Sequence, residues 1–432
     1  MMETATSARE FRISKEIEEQ LRGVVGAEFV RTAGANDAVR GVQPQLVVAP
    51  GNEAEVAAVL RCANDAGIAV IPRGGGTKLE WGNAPVRGEL ILSLARLNRV
   101  LDHAWADLTV SVEAGCTLQT LQETLAQHGQ RLALDALWPE RATVGGVLST
   151  NDSGALRLRF GALRDLIIGV TLALPDGTLA SSGGRVVKNV AGYDLPKLAT
   201  GALGTLGVIT RAFFRLHPVC PNSLTVSFSA ADVEEMQAKI LAIQDSKLAH
   251  TAFQIRCGGE MGGASVAELL LEATEAGLAA QQQQVRKMVG SFEIAARQVW
   301  SARQELWSGA SENSAVVKVS VLPALIAKTI RLVGSATKGD QLKWKAVFQA
   351  TGIGWLRLDG PAREVAAGVN GMRSALENDG GSLVITYRSQ SKEMSALDAW
   401  GVPGDGLPLM RALKNRLDPL NTLNPGRFVG GI

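Results

Sequence analysis

The chain has 432 residues, which is more than a single hydrophobic core usually organises, so we expect at least two domains. Its 47 glycines follow no G-x-y period and lie among ordinary apolar segments, which excludes a collagen-like or low-complexity chain. The formal net charge of +2 gives no support for a nucleic-acid-binding protein, which normally carries a strongly basic field.

Membrane, secretory and metal-binding classes also lack support in the sequence. The longest strongly apolar stretch, residues 166–174, is about half of the roughly 18 residues that a membrane helix needs. The N-terminal residues are partly acidic and contain no apolar signal-peptide segment. Four cysteines without a C-x-x-C pair and four histidines without an H-x-x-x-H pair argue against a disulfide framework and a metal site. We therefore expect a cytoplasmic protein with reduced thiols, no bound metal and no membrane span of its own.

The first half of the chain predicts alternating strands and helices. Residues 1–41 form a helical lead-in, and Leu46–Ala49 predicts a strand. Asn52 predicts the N-cap of the following helix, because Glu55 stands three residues on, as in a capping box. Further along, Asp176-Gly177 predicts a hairpin turn between two strands.

The second half has a different pattern. After Pro218 the chain predicts strand–helix–strand modules, which indicate a mixed α+β domain of ferredoxin-like pieces with room for two in tandem. The Pro- and Gly-rich stretch 402–408 predicts a linker to a tail with a short amphipathic helix.

Three glycine-rich segments predict one extended ligand. They are PRGGGTK (72–78), TVGGVLSTNDSG (143–154) and GALGTLGVIT (201–210). Consecutive glycines expose backbone N–H groups that can surround a pyrophosphate, and the third segment would let a strand edge lie flat against a planar ring. Each segment alone is a weak signal, since glycine loops after strands are often mere turns. Neither a P-loop nor a G-x-G-x-x-G fingerprint is present, so these nucleotide sites have no support.

These segments, together with RFGALRDLIIGV and GGRVVKNVAGYDLPKL, resemble the FAD-binding oxidoreductases of the vanillyl-alcohol oxidase (PCMH) type. Within that family the likeness is greatest to the E subunits of bacterial glycolate oxidases. The resemblance implies an α+β fold, with a PCMH-type FAD-binding domain of two α+β subdomains at 42–218. A ferredoxin-like α+β cap domain would follow at 219–401, and a tail at 402–432 would return to the flavin.

The resemblance also implies which residues hold FAD. Arg73 to Thr77 would hold the pyrophosphate, with Gly74, Gly75 and Gly76 supplying backbone amides. The other implied cofactor residues are Pro139, Thr143, Gly145, Gly146, Ser149, Asn151, Ser153, Gly154, Gly207, Val208, Ile209, Asn424 and Arg427. Relatives with a covalent flavin place a histidine where this chain has Thr77, so we expect non-covalent FAD.

The chain departs from the catalytic members of the family. Their histidine-rich cap motif, G-H-x-G-D-G-N-x-H, supplies a metal site and a base for the substrate hydroxyl, and it is missing here. Leu203 also stands where many active relatives have an acid. The remaining catalytic candidates are His217, Tyr193 with its neighbour Lys188, and Arg303 between two tryptophans. For each a structural role explains the residue at least as well.

Three functions follow as hypotheses. The first is an E-type subunit that works with a catalytic FAD subunit and an iron–sulfur subunit to oxidise glycolate or a related 2-hydroxy acid. In that case the chain would be cytoplasmic or held peripherally at the inner membrane through a partner. The second is a stand-alone FAD-dependent dehydrogenase or oxidase of another hydroxy acid, an alditol or a sugar. The third is an assembly scaffold without a cofactor.

Overall fold

The computed structural model of the chain describes residues 12–184, 192–258, 264–310, 313–337 and 341–432. Two smaller sheets form a first part of the molecule, and one large sheet forms a second part. The helices are α1 Lys15–Val25, α2 Glu53–Asp65, α3 Leu118–Ala126, α4 Val144–Thr150, α5 Arg157–Phe160, α6 Leu163–Leu166, α7 Leu195–Ala199, α8 Val233–Gln244, α9 Glu275–Val289, α10 Ala302–Glu305, α11 Ile326–Ala336, α12 Ala362–Asn378, α13 Lys392–Ser395 and α14 Leu407–Leu417.

The first part contains a mixed sheet and an antiparallel sheet that share one hydrophobic core with α1, α2 and α3. The mixed sheet has the order β1-β2-β4-β3, with β2 and β3 parallel to β4. The antiparallel sheet has the order β5-β6-β10-β8-β9. The strands are β1 Val30–Thr32, β2 Leu46–Val48, β3 Val70–Arg73, β4 Leu90–Ser93, β5 Val100–Ala104, β6 Thr109–Glu113, β7 Gln130–Arg131, β8 Ile167–Ala173, β9 Leu179–Gly183, β10 Val208–Arg215 and β11 His217–Pro218, where β7 and β11 form a separate pair.

Two local predictions in this part are confirmed. Asn52 caps α2, because its side chain accepts a hydrogen bond from the Glu55 backbone N–H at 3.0 Å. The Glu55 carboxylate in turn accepts from the N–H of Gly51 at 2.7 Å. Between β8 and β9, Gly177 takes a φ of +83°, and Asp176 accepts from the Thr178 N–H.

The second part is a single eight-stranded antiparallel sheet built from two ferredoxin-like modules. Each module runs β-α-β-β-α-β, and the sheet order is β15-β12-β14-β13-β17-β18-β16-β19. The modules meet where β13 pairs antiparallel with β17, so the tandem arrangement is confirmed. The strands are β12 Asn222–Ala230, β13 His250–Gly258, β14 Ser265–Ala273, β15 Glu293–Ile294, β16 Ser314–Ser320, β17 Lys343–Gln349, β18 Ile353–Asp359 and β19 Ser382–Arg388.

The helices α8, α9, α11 and α12 cover one face of this large sheet with a continuous apolar core. The other face bears many polar side chains and turns toward the first part, where Arg131 pairs with Glu272 across the boundary. None of the helices within the described ranges is long and apolar enough to cross a membrane.

The C-terminal tail returns to the first part. Leu423 forms a parallel bridge with Val70 of β3, and the Asn424 N–H donates to the Val70 carbonyl at 3.0 Å. Buried Lys414 of α14 donates to Asp418, to the Leu423 carbonyl and to the Thr205 carbonyl, at 2.6, 2.9 and 2.8 Å. All three ammonium protons therefore have acceptors, and the tail is held against the turn that precedes β10.

Candidate flavin site

The three glycine-rich segments and the tail meet at one cleft with about 670 Å³ of empty volume. The cleft lies between the ends of β3 and β4 in one sheet and the start of β10 in the other. Most of the implied cofactor residues line it: Arg73, Gly74, Gly75, Gly76, Thr77, Thr143, Gly145, Gly146, Ser149, Gly207, Val208, Ile209, Asn424 and Arg427. The lining residues that the resemblance did not assign to the cofactor are Pro72, Lys78, Leu79, Leu94, Thr150, Leu203 and Gly204.

Four of the implied cofactor residues lie outside this lining. Pro139 and Gly154 each line a different cavity. Asn151 ends α4 in a left-handed conformation, and the Ser153 carbonyl accepts from Arg303. Their contact with FAD stays a prediction.

The first glycine loop packs tightly on the segment that precedes α4. A Cβ atom on Gly75 would lie 1.7 Å from the Arg141 carbonyl oxygen, and one on Gly74 would lie 2.0 Å from Oγ1 of Thr143. Glycine is needed at position 75 because backbone approaches backbone there, and at position 74 because the Thr143 side chain does, while both glycines line the cleft. Two of the three glycine segments are thus fixed relative to each other.

Two buried side-chain oxygens at the cleft have no hydrogen-bond partner in the described part of the chain. They are Oγ1 of Thr143 and Oδ1 of Asn424. Such atoms are costly to bury unless a ligand or water completes their bonding. Asn424 is otherwise fixed, because its side-chain nitrogen donates to the Leu203 carbonyl at 2.6 Å. Together with the Cβ-free loop, these oxygens fit a polar cofactor with many donors and acceptors, as FAD is.

The third glycine segment differs from its prediction as a flat strand edge. Gly201 and Gly204 have φ of +85° and +67° and form turns, while the strand begins only at Val208. β10 is also central in its sheet, since β6 and β8 pair with its two sides. The cleft is therefore lined by the turn and the first residues of β10, because glycines with positive φ reverse the chain there.

Arg427 of the tail organises the loop after the first glycine segment. Its Nη2 donates to the carbonyls of Leu79 and Trp81, at 2.5 and 2.6 Å. Burial, and then the nearby Arg40, lower the pKa of Arg427 to about 10. Arg427 thus lines the cleft, and its N–H groups hold the backbone carbonyls of Leu79 and Trp81 in the neighbouring loop.

Arg73 at the start of the glycine loop is anchored by Asp37, a residue that sequence reasoning did not single out. Asp37 accepts from Arg73 at 2.8 Å and from both terminal nitrogens of Arg31. Its pKa lies well below the ordinary range, mainly because of the Arg31 hydrogen bonds and with a further contribution from Arg73.

This anchor predicts a pH dependence. A carboxyl group whose pKa is depressed in the folded state stabilises the fold at pH values above its unfolded-state pKa of about 3.9. This stabilisation is lost as the pH falls through the folded-state pKa. Asp37→Asn is therefore expected to lower the melting temperature at pH 6. The difference in melting temperature between this variant and the natural chain is expected to shrink below about pH 4. Thermal unfolding from pH 6 to pH 3 measures this, and a difference that grows toward acid would contradict it.

A buried carboxylate joins the cofactor loop to the second part of the molecule. Asp152 is fully buried and lies 3.3 Å from Nζ of Lys78, which belongs to the first glycine segment. Its other oxygen, Oδ1, accepts from Nη1 of Arg303 at 2.9 Å, whereas the Leu137 N–H donates to Oδ2, the oxygen that faces Lys78. Burial opposes ionisation of Asp152, but Arg303 and Lys78 more than offset this and leave its pKa lowered. We call Asp152, Lys78 and Arg303 the interdomain clasp.

Arg303 is committed to this clasp. Besides Asp152, it donates to the Ser153 carbonyl at 2.7 Å and to the Asp135 carbonyl at 2.6 Å. Its guanidinium carbon also lies 4.7 Å from the centre of the Trp355 ring. The sequence offered Arg303 as a candidate partner for a substrate carboxylate or as a structural arginine, and the carboxylate that it contacts belongs to Asp152.

Tyr193 and His217 lie away from the cofactor cleft. The Tyr193 residue is 90% exposed and lines a separate surface cavity with Lys197. His217 pairs with β7, and its ring lies 4.7 Å from the ring of Phe160. Burial lowers the pKa of His217, with Arg215 and then Arg131 adding to the effect. Lys188 lies outside the described residues.

Lys318 is a further cation at the boundary between the two parts of the molecule, and the sequence analysis did not single it out. It is half-buried on β16, with Nζ 5.6 Å from the centre of the Trp355 ring, and no hydrogen bond or ion pair holds it among the described residues. Burial is the main cause that lowers its pKa to about 8, although Asp152 acts in the opposite direction. A single lysine inside the apolar strand SAVVKVS was the signal that could have found it.

The geometry agrees with what comparison with known families finds. Residues 44–183 match a family model described as FAD binding domain. Residues 44–183 of the chain therefore form an FAD-binding domain. The FAD cofactor and the α+β fold implied by the resemblance are confirmed.

Relatives and solved structures extend this likeness beyond the matched residues. The chain is 28% identical over 426 residues to D-2-hydroxyglutarate dehydrogenase of Xanthomonas citri pv. viticola, covering 89% of each chain. It is 33% identical over 214 residues to the glycolate oxidase subunit GlcD of Bacillus subtilis, which covers 48% of this chain and 46% of that one. A structure of p-cresol methylhydroxylase with substrate bound has a TM-score of 0.73 at 16% identity, covering 95% of this chain and 96% of that one. At that identity the structural likeness establishes the fold alone.

Proposed function

We propose that this chain is the FAD-binding subunit of a glycolate-oxidase-type complex, in an accessory or electron-relay role. The complex would oxidise glycolate or a related 2-hydroxy acid to the 2-oxo acid. Its other members would be a homologous catalytic flavin subunit and an iron–sulfur subunit, in the cytoplasm or peripherally at the inner membrane. The FAD-binding domain and the hydroxy-acid enzymes among its relatives support an oxidoreductase that acts on CH–OH groups.

One observation supports the accessory role: the described lining of the cleft lacks a group that is free to accept the proton of the substrate hydroxyl. Its described lining contains no histidine, tyrosine or carboxylate. Lys78 is the nearest substitute, but its ammonium lies within hydrogen-bonding reach of Asp152, the Leu137 carbonyl and Thr77. Removing a proton from the substrate hydroxyl needs a base with an available lone pair, which this ammonium does not offer.

The residues of the chain are suited to holding FAD. When bound, FAD would supply the hydride acceptor. The N–H groups of Gly74, Gly75 and Gly76 would face its pyrophosphate, and the free oxygens of Thr143 and Asn424 would receive its donors. These groups are positioned by the backbone packing described above.

Non-covalent attachment is the first expected outcome. Thr77 stands where a covalent link would need a nucleophile, and the described lining of the cleft offers neither histidine nor cysteine. Acid precipitation of the yellow protein is expected to release the flavin into the supernatant. Colour that stays with the pellet would contradict the proposal.

The subunit role is tested with the full-length, FAD-loaded chain. Mixed anaerobically with glycolate, the purified chain is expected to keep its flavin absorbance, since it lacks a base. Purification from the native host is expected to bring along a second flavoprotein and an iron–sulfur protein. Rapid bleaching by glycolate without a partner would overturn the accessory role.

A stand-alone dehydrogenase is the second candidate, because the likeness to D-2-hydroxyglutarate dehydrogenase covers 89% of both chains. In this case Lys318 would be the cation available for a substrate carboxylate, since Arg303 is already paired with Asp152. Screening 2-hydroxy acids, alditols and sugar lactones with a dye acceptor separates the candidates. Turnover that Lys318→Met abolishes would favour the stand-alone enzyme.

A further inference from the structure

An apolar groove lies on the surface of the first part of the molecule, between α14 and the turn that precedes β10. It has about 550 Å³ of empty volume, and apolar side chains of residues 198–206 and of α14 line it, together with Phe428 and Ile432 from the end of the tail. Met410 of α14 is 40% exposed in this groove, and its neighbour Leu409 is 66% exposed. Large apolar side chains that are exposed side by side mark a surface for interaction with another molecule.

The turn at 201–207 separates this groove from the cofactor cleft. Leu203 and Gly204 line the cleft, whereas their chain neighbours Ala202 and Thr205 line the groove. Lys414 of α14 donates to the Thr205 carbonyl at 2.8 Å, which holds the turn in place. A protein seated in the groove would therefore lie one turn of backbone away from the cofactor cleft. Because electron tunnelling weakens steeply with distance, this is a favourable position for a protein that takes electrons from the cofactor.

The groove continues into a second surface cavity, because Arg164 lines both. Tyr193 also lines this cavity and is 90% exposed, so its ring is available to a partner. The Ser182 hydroxyl donates to the Tyr193 carbonyl at 2.5 Å and fixes the backbone at this residue. Tyrosine is among the side chains that most often dominate the binding energy of protein interfaces. An exposed tyrosine on a fixed backbone therefore predicts an anchor for a partner protein.

The groove and the second cavity are bordered by arginines that form no ion pair within the described ranges. Arg164 lies where the two cavities join, and Arg215 lines the second one with a buried Nε that has no hydrogen-bond partner in those ranges. Arg416 is exposed on α14, one turn after Leu413, which lines the groove. Arg411 is exposed too, and its one described hydrogen bond goes to a backbone carbonyl of the tail, at 3.0 Å. These guanidinium groups can therefore pair with carboxylates of another protein.

The carboxylates of this surface do not cancel that charge. Asp194 is paired with Lys197 at 2.9 Å, and Asp165 accepts from the Ala162 N–H at 2.8 Å. Asp405 lies exposed just before α14. Basic side chains therefore outnumber acidic ones around the groove, and a partner with an acidic face is attracted to this surface and oriented on it.

We propose that the groove and the adjoining cavity, which we call the docking surface, bind an acidic electron-accepting protein through Tyr193, Arg164 and Arg416, with an apolar side chain of the partner in the groove. The proposal rests on the proposed function, in which that acceptor is the iron–sulfur subunit. An anionic membrane also attracts basic surfaces. The concave groove beside the cofactor turn, however, suits a projecting apolar side chain of a protein better than the surface of a bilayer.

Co-purification from the native host with the tagged, full-length chain tests the docking surface. The natural chain is expected to retain the iron–sulfur protein, and the double variant Arg164→Glu/Arg416→Glu is expected to lose it, because attraction to an acidic partner becomes repulsion. Interferometry with the recovered iron–sulfur protein is expected to give a Kd at least about tenfold higher for the double variant and for Met410→Glu. None of these residues lines the cofactor cleft, so the FAD content is expected to stay the same. Arg363→Glu, at an exposed arginine of α12, is the matched control and is expected to bind the partner like the natural chain.

The results that would overturn the docking surface are distinct from one another. An iron–sulfur protein that binds the natural chain and these variants equally well would leave the proposed function standing and show that the partner docks elsewhere. A natural chain that brings along no iron–sulfur protein would overturn the proposed function and the docking surface with it. Binding of the natural chain to phosphatidylglycerol vesicles that the double variant abolishes, with binding of the iron–sulfur protein unchanged, would assign this surface to the membrane instead.

Discussion

Asp152→Asn is expected to lower the free energy of unfolding by about 3–5 kcal/mol, because it leaves two buried cations without their shared carboxylate. Lys78 and Arg303 would both stay buried while losing the charge that compensates them. Since Lys78 belongs to the first glycine segment, the variant is also expected to bind FAD more weakly. Urea denaturation and flavin-fluorescence titration measure the two effects.

The control for this variant is Asp379→Asn. Asp379 pairs with Lys328 at 2.8 Å, but both side chains are largely exposed to solvent. Exposed pairs contribute about 0–1 kcal/mol, so this variant is expected to unfold close to the natural chain and to bind FAD normally. Equal effects of Asp152→Asn and Asp379→Asn would show that the interdomain clasp does not hold the two parts together.

Gly75→Ala is expected to weaken FAD binding at least about tenfold, a loss of about 1.4 kcal/mol or more. A methyl group there would lie 1.7 Å from the Arg141 carbonyl oxygen, a distance that no contact allows. The loop would have to move away from residues 141–143, and its N–H groups would leave the positions that face the cofactor. Titration of the deflavinated chain with FAD measures the affinity.

Gly371→Ala makes the same chemical change where nothing opposes it. Gly371 lies exposed inside α12, and a Cβ atom there meets no atom within 4 Å. Alanine is favoured over glycine in a helix by about 1 kcal/mol, so this variant is expected to be slightly more stable, with unchanged FAD affinity. If Gly75→Ala binds FAD as well as Gly371→Ala does, the packing of the glycine loop is irrelevant to the cofactor.

Sequence patterns with local physical causes predicted the fold well. The N-cap at Asn52 and the hairpin at Gly177 depend on side chains within three residues, so the sequence alone reveals them. The two ferredoxin-like modules follow from the alternation of strands and helices after Pro218. The meeting of the first and third glycine segments at one cleft could be expected because they adjoin the ends of β3 and β10, whereas the second segment forms α4.

Residues that act through long-range contacts could not be predicted in the same way. Asp152 and Arg303 are separated by 151 positions, and Asp37 and Arg73 by 36. No local pattern marks such pairs, since their partners are set by how the sheets pack. The third glycine segment was misread because glycines at every third position suggested an extended edge, whereas positive φ at Gly201 and Gly204 makes turns. Arg303 was a candidate for pairing a substrate carboxylate, but it pairs with Asp152 of the protein.

The central claim is that the three glycine segments and the tail form one site for non-covalent FAD. Titrating the deflavinated, full-length chain with FAD while following flavin fluorescence tests it most directly. The structure predicts saturable binding of one FAD per chain, weakened by Gly75→Ala and unaffected by Gly371→Ala. Absence of saturable binding, or equal binding by both variants, would contradict the claim.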